Sequence, residues 1–118
     1  MIVRKDVFVY IAGPIAPLGG YTIEENVAEA SKMFLKLSQL GIPAYCPHLT
    51  ALLPTAHTFD YKLWTDIDFA IIDRCTHMIM LPRWAESKGA TEELLYADSH
   101  GIPAFRSLPE LLGMLGEE

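Results

Sequence analysis

Apolar residues along this chain follow two spacings, one continuous and one helical. Val7-Phe8-Val9-Tyr10-Ile11-Ala12 is an unbroken apolar run of β-branched and aromatic residues. Such runs form strands buried on both faces, the mark of a parallel sheet. Gly13-Pro14 ends the run, and a loop containing Pro17 and Gly19-Gly20 follows. From Thr22 to Leu40 the period changes. Val27, Ala30, Phe34, Leu37 and Leu40 fall on one helical stripe, with Glu29, Lys32 and Lys36 on the wet side. Thr22 and Glu25 make the T-x-x-E signature of a capping box at its start.

Gly41-Ile42-Pro43-Ala44 recurs as Gly101-Ile102-Pro103-Ala104. Glycine suits the left-handed position after a helix, and proline opens a strand where no ladder donor is needed. The repeated word therefore predicts two helix-to-strand joints. Between them, Pro47 to Phe59 reads as a long loop, Asp60 to Arg74 as a helix, His77 to Leu81 as a buried strand and Ser87 to His100 as a helix. Ile102–Phe105 is the fourth strand and Pro109–Leu115 a short last helix. This β-α-β-α-β-α-β-α order predicts an α/β fold: one domain over 1–118, an open parallel sheet of four to five strands with helices on both faces, a Rossmann-like or flavodoxin-like three-layer sandwich. Ligands of such sheets bind outside the carboxyl ends of the strands. Gly13–Gly20, Pro47–Phe59 and Pro82–Glu93 all lie there.

Composition narrows the picture. The 118 residues are 51% hydrophobic and 20% charged, a balance that supports a packed core and excludes a disordered chain. Two cysteines make no disulfide framework and point to a reduced, cytoplasmic setting. A net charge of −6 argues against a nucleic-acid polymer as partner. No apolar run approaches the roughly 18 residues of a membrane span.

The chemistry-bearing residues are few. Gly13-Pro14-Ile15 fits neither a dinucleotide fingerprint nor a Walker loop. It reads as a strand-ending turn, or as a ledge where a side chain on Gly13 would clash with a ligand. Ser87 is a natural N-cap, and Gly89 and Ala90 keep the first helical turn narrow. Glu93 follows on the flank of the stripe of Ala90, Leu94 and Ala97. A half-buried carboxylate there is expected to stay ionised yet poorly hydrated, as a nucleophile should. Glu92 points about 100° away, toward Leu95, Tyr96 and Ser99. Asp68 stacks with Ile71, Ile72 and Cys75, unlike a solvated carboxylate, while Asp66 goes with Ala70 and Asp73. Trp84, Trp64 and Tyr61 are rim aromatics able to stack a planar base. His48, His57, His77 and His100 show no metal-ligand interval, so no metal and no cofactor is expected.

Three stretches together resemble the nucleoside 2-deoxyribosyltransferase superfamily, which includes the deoxynucleoside 5′-monophosphate N-glycosidases. They are Tyr10-Ile11-Ala12-Gly13-Pro14-Ile15, Trp64 through Cys75, and Trp84 through Glu93. The family's order is an apolar strand ending Y-x-A-G-[PS]-I, a helix with Asp eight residues before the close of an [AC]-D pair, then S/D-x-G-x-x-x-E-L. Here Asp68 lies eight residues before Thr76, and Glu93 six after Ser87. The resemblance implies that Glu93 stands for the family's catalytic glutamate and Asp68 for the aspartate that positions sugar and leaving base. Tyr10 matches an active-site tyrosine, and Ser87 a position that is serine in the monophosphate hydrolases. Three features depart from the pattern. Cys75-Thr76 replaces the pair ending in Asp, Ala16–Gly20 holds no arginine, and the C-terminal segment is short.

The expectation is therefore cleavage or transfer at the N-glycosidic bond of a 2′-deoxynucleoside or its 5′-monophosphate, by a homo-oligomer acting on a small molecule. Glu93 and Asp68 would carry the chemistry, Gly13, Pro14, Ile15, Gly89 and Ala90 would shape the sugar pocket, and Trp84 would cover the base. A non-catalytic nucleotide sensor on the same fold is the alternative. A metal hydrolase built on His48 or His57 is a third reading.

Overall fold

The computed structural model describes residues 2–54 and 59–116. Strands β1 (Val9–Ala12), β2 (Ala44–Tyr45), β3 (His77–Met80) and β4 (Ala104–Phe105) alternate with helices α1 (Ile23–Gln39), α2 (Tyr61–Ile72), α3 (Lys88–Ser99) and α4 (Leu108–Leu115). All strand pairs are parallel, in the order β2-β1-β3-β4. This is the expected α/β three-layer, Rossmann-like arrangement, with four strands.

Each helix begins where a side chain satisfies an orphan backbone donor. Thr22 and Glu25 form the full capping box, each side chain accepting from the other's backbone N–H. Asp60, Ser87 and Ser107 cap α2, α3 and α4 one-way, each side chain accepting from the backbone N–H three residues on. The repeated Gly-Ile-Pro-Ala word does at both sites what its composition requires. Gly41 and Gly101 each take a φ of +74°. The carbonyls of Pro43 and Pro103 then accept from Val9 and Met78 on the neighbouring strands. Strands β2 and β4 are short because residues 42–43 and 102–103 are used up in these joints. Part of the loop after β2 is a 3-10 helix, Pro47–Leu52, helped by proline's fixed φ at its first position and by the Thr50 hydroxyl donating to the Pro47 carbonyl at 2.7 Å.

The period of two along β1 divides the core. Val9 and Ile11, with Ile79 and Leu81 from the β3 side, pack against α1 and α4 through Ala30, Leu37 and Leu111. Tyr10 and Ala12, with Met78 and Met80, face α2 and α3 through Ile72 and Ala97. The chain runs from β1 through α1 to β2, then returns past β1 through α2 to β3. The sheet order therefore reverses between β1 and β3, and their carboxyl ends open the crevice where ligands of such sheets sit. Gly13 is a glycine for the sake of the sheet. A Cβ there would lie 2.7 Å from the Cβ and Cδ1 of Leu81, so a side chain on Gly13 would clash with the β3 exit. Among the described residues no helix is long and apolar enough to cross a membrane.

Candidate active site

A cavity of about 400 Å³ opens over the carboxyl ends of β1 and β3, a size usual for small-molecule sites. Its floor and walls come from five segments, one of them the start of α1 at Ile23. Gly13, Ile15 and Ala16 follow β1, and Thr50 and Ala51 belong to the 3-10 helix. Tyr61, Trp64, Thr65 and Asp68 come from α2, and Ser87, Gly89, Ala90, Glu92 and Glu93 from the start of α3. The α2 residues stand at i, i+3, i+4 and i+7, one face of one helix.

Tyr10 reaches Glu93 from beneath, and its hydroxyl donates to Glu93 Oε2 at 2.6 Å. The Tyr10 ring is fully buried and stacks on Tyr45 at 5.9 Å. Asp68 interacts with both partners, Glu93 and Tyr10. Burial raises both carboxyls, Asp68 to about 6 and Glu93 to about 8. The Tyr10 hydrogen bond opposes the rise of Glu93, and the neighbouring Asp68 charge adds to it. Tyr10 is held well above its ordinary value, first by burial and then by these two acids. Burial thus works against the ionised Glu93 expected at the start of α3. The dipole fades within the first turn, and desolvation outweighs it. Both shifts run the same way, so the two interacting carboxyls favour sharing a proton over carrying two charges.

The structure brings together Tyr10, Ile15, Asp68, Ser87, Gly89, Ala90 and Glu93, and the backbone at Gly13. Two expected residues fall elsewhere. Pro14 is buried outside the lining, with the Gly13-Pro14 backbone against the fully buried His48 ring. Trp84 does not line the cavity. The chain turns at Arg83, whose φ is +65°, into a short 3-10 turn, Trp84–Glu86. The indole packs with the Tyr10 side of the core, under the Arg106 guanidinium at 4.7 Å. Trp64 and Tyr61 supply the aromatic wall instead. Glu92 also departs from expectation. It lines the cavity, accepts from the Tyr61 hydroxyl at 3.2 Å and lies 4.0 Å from Lys88 Nζ. Asp66 is exposed and pairs with Lys62 at 2.6 Å, an ordinary solvated edge.

The sequence reading missed the brace under the first loop. Asn26 is buried, and its Nδ2 donates to the carbonyls of Ile15 (3.2 Å) and Ala16 (3.0 Å). Arg83 Nη2 donates to Asn26 Oδ1 at 2.8 Å, and its guanidinium lies 3.5 Å over the Tyr21 ring. One signal existed. Asn26 sits beside Val27 on the buried stripe of α1, where an amide must find partners.

Both cysteines are free and buried, and burial pushes Cys75 up to about 12, so neither is a ready nucleophile. Burial lowers His48 to about 4 and keeps it neutral. His57 lies outside the described residues. Among those described, no three His, Cys, Asp or Glu side chains converge as a metal site would require.

A family model described as a domain of unknown function, DUF4406, matches residues 7–105, which include every residue lining this cavity. No curated protein matches the chain. The chain, from the strand that carries Tyr10 to the strand after α3, belongs to the DUF4406 family.

Proposed function

We propose that this protein cleaves or transfers at the N-glycosidic bond of a 2′-deoxynucleoside or its 5′-monophosphate, with Glu93 as nucleophile and Asp68 as its proton partner. The carrying observation is the Tyr10–Glu93–Asp68 group facing an aromatic-walled cavity of nucleoside size. A half-buried, poorly hydrated carboxyl pair weakens a fold, and a mere binder has no need of one. That favours chemistry over sensing.

In the proposed reaction the Tyr10 hydroxyl holds one Glu93 oxygen and leaves the other to attack C1′. The C1′–N bond breaks and its electron pair stays on the base, which takes the proton from Asp68. Positive charge developing at C1′ draws the negative charge of the pair onto Glu93 and the shared proton onto Asp68. The product is a glycosyl ester on Glu93. Water then gives a proton to Asp68 and its oxygen attacks C1′, which releases the sugar and restores the pair. An incoming base in place of water gives transfer. This is the two-step retaining logic, with one carboxyl as nucleophile and one as acid and base. Trp64 and Tyr61 would hold the base. A second copy of the chain would close the cavity's open side.

The test is a chromatogram of free base after incubation with deoxynucleosides and their 5′-monophosphates. Base is expected from the native protein, with and without a chelator, and not from Glu93→Gln. Equal release by both proteins removes Glu93 from the reaction, and no release from any substrate removes the reading.

A further inference from the structure

Among the described residues, the charged ones lining the cavity are all acidic: Asp68, Glu92 and Glu93. All nine Lys and Arg residues lie in described segments, and none of them lines it. Two cations stand close to its lining residues or to the loop beside it. Lys88 is exposed, 4.0 Å from Glu92 Oε1 and 5.2 Å above the Tyr61 ring. Arg83 is tied to Asn26 and to Glu29 at 3.5 Å, and it stacks on Tyr21.

We infer that the cavity takes an uncharged deoxynucleoside and rejects the corresponding 5′-monophosphate, and that Glu92 is the residue setting the rejection. This rests on the reading above and chooses between its two substrate classes. A phosphate monoester carries nearly two negative charges at neutral pH. It would enter a site that already holds the Glu92 carboxylate and the charge left on the Asp68–Glu93 pair. The helix α3 offers about half a positive charge at its N-terminus. The Glu92 carboxylate and the charge on the Asp68–Glu93 pair outweigh that, and the Ser87 hydroxyl, which accepts from the Ala90 N–H at 3.2 Å, is a neutral donor that brings no positive charge. The Tyr61 hydroxyl donates to Glu92, which holds that carboxylate at the aromatic wall and not free at the mouth. The deoxyribose and base, uncharged, meet none of this repulsion.

The test uses an uncleavable pair, a deoxy C-nucleoside and its 5′-monophosphate, titrated calorimetrically into the native protein. The nucleoside is expected to bind at least about tenfold tighter, with the gap narrowing as salt is raised. Glu92→Gln keeps an acceptor for Tyr61 and removes the charge. It is expected to narrow the gap about three- to tenfold while nucleoside affinity stays near native. A monophosphate that binds as tightly as the nucleoside overturns the inference. So does a gap untouched by Glu92→Gln, or a monophosphate affinity that collapses in Arg83→Gln. Free base is measured in parallel on natural substrates. Release with a preference for the monophosphate sinks this inference alone. No binding and no release sink the glycosidic reading with it.

Discussion

The two faces of the sheet differ although the same strands make both. On the α1/α4 face, Val9, Ile11, Leu37, Ile79 and Leu111 are packed without a buried carboxyl among them. On the α2/α3 face, Tyr10 takes the place between Val9 and Ile11 and carries its hydroxyl to Glu93, with Asp68 beside them. Helix α2 is correspondingly less committed to the core. Ile72 is its one buried residue, and Leu63 and Ile67 stay exposed. One face lowers the free energy of the fold by burying apolar area. The other gives up part of that gain to hold ionisable groups away from water, where small changes in surroundings move protons.

The sharpest way to break this division is Glu93→Gln. Base release is expected to fall by about a thousandfold or more, roughly 4 kcal/mol of barrier, with urea stability at pH 8 equal to native or higher. Lost stability together with retained activity would reverse the roles of the two faces. Ile11→Ala is the counterpart on the apolar face. Its fully buried side chain leaves a cavity that is expected to cost about 3 kcal/mol in urea unfolding, with the rate per folded molecule unchanged.

Removing only the Tyr10 hydroxyl, as in Tyr10→Phe, keeps the buried ring and frees Glu93. The rate is expected to drop about ten- to a hundredfold. Because the Tyr10 bond lowers Glu93, its loss should also move the alkaline limb of the pH–rate profile upward. A profile that only scales down would make Tyr10 a packing residue.

The pH dependence of stability separates the faces without mutation. Asp68 and Glu93 rise from ordinary values of 3.8 and 4.5 to about 6 and about 8 in the fold. The folded chain therefore keeps protons that the unfolded chain has released, so the pair's contribution is full below about pH 4 and lost as pH rises through 8. Urea stability should fall from pH 5 to pH 8.5 in the native protein. It should fall much less in the double variant Asp68→Asn/Glu93→Gln. Activity, which needs one proton on the pair, should peak between about pH 6 and 8. The smallest expected effect is at the cavity wall. Trp64→Leu should raise KM about tenfold with little change in kcat, if the indole stacks the base.

Local rules in the sequence determined most of this molecule. The continuous run at 7–12, the capping pairs and the twice-used Gly-Ile-Pro-Ala word name their own elements, since each depends on residues a few positions apart. Glu93 and Asp68 stood out for the same reason, as carboxyls on or beside stripes that read as buried, whereas Tyr10 was marked only by the resemblance of its strand to a known family. What three-dimensional packing alone decided was which groups meet. Gly13 answers to Leu81 across the sheet, Trp84 turns back onto the core at Arg83, and Glu92 swings into the cavity toward Tyr61 of another helix. The proton shared by Asp68 and Glu93 belongs to that class too. It arises from the desolvation of two side chains carried on different helices, and no interval along one chain encodes how dry a meeting place will be.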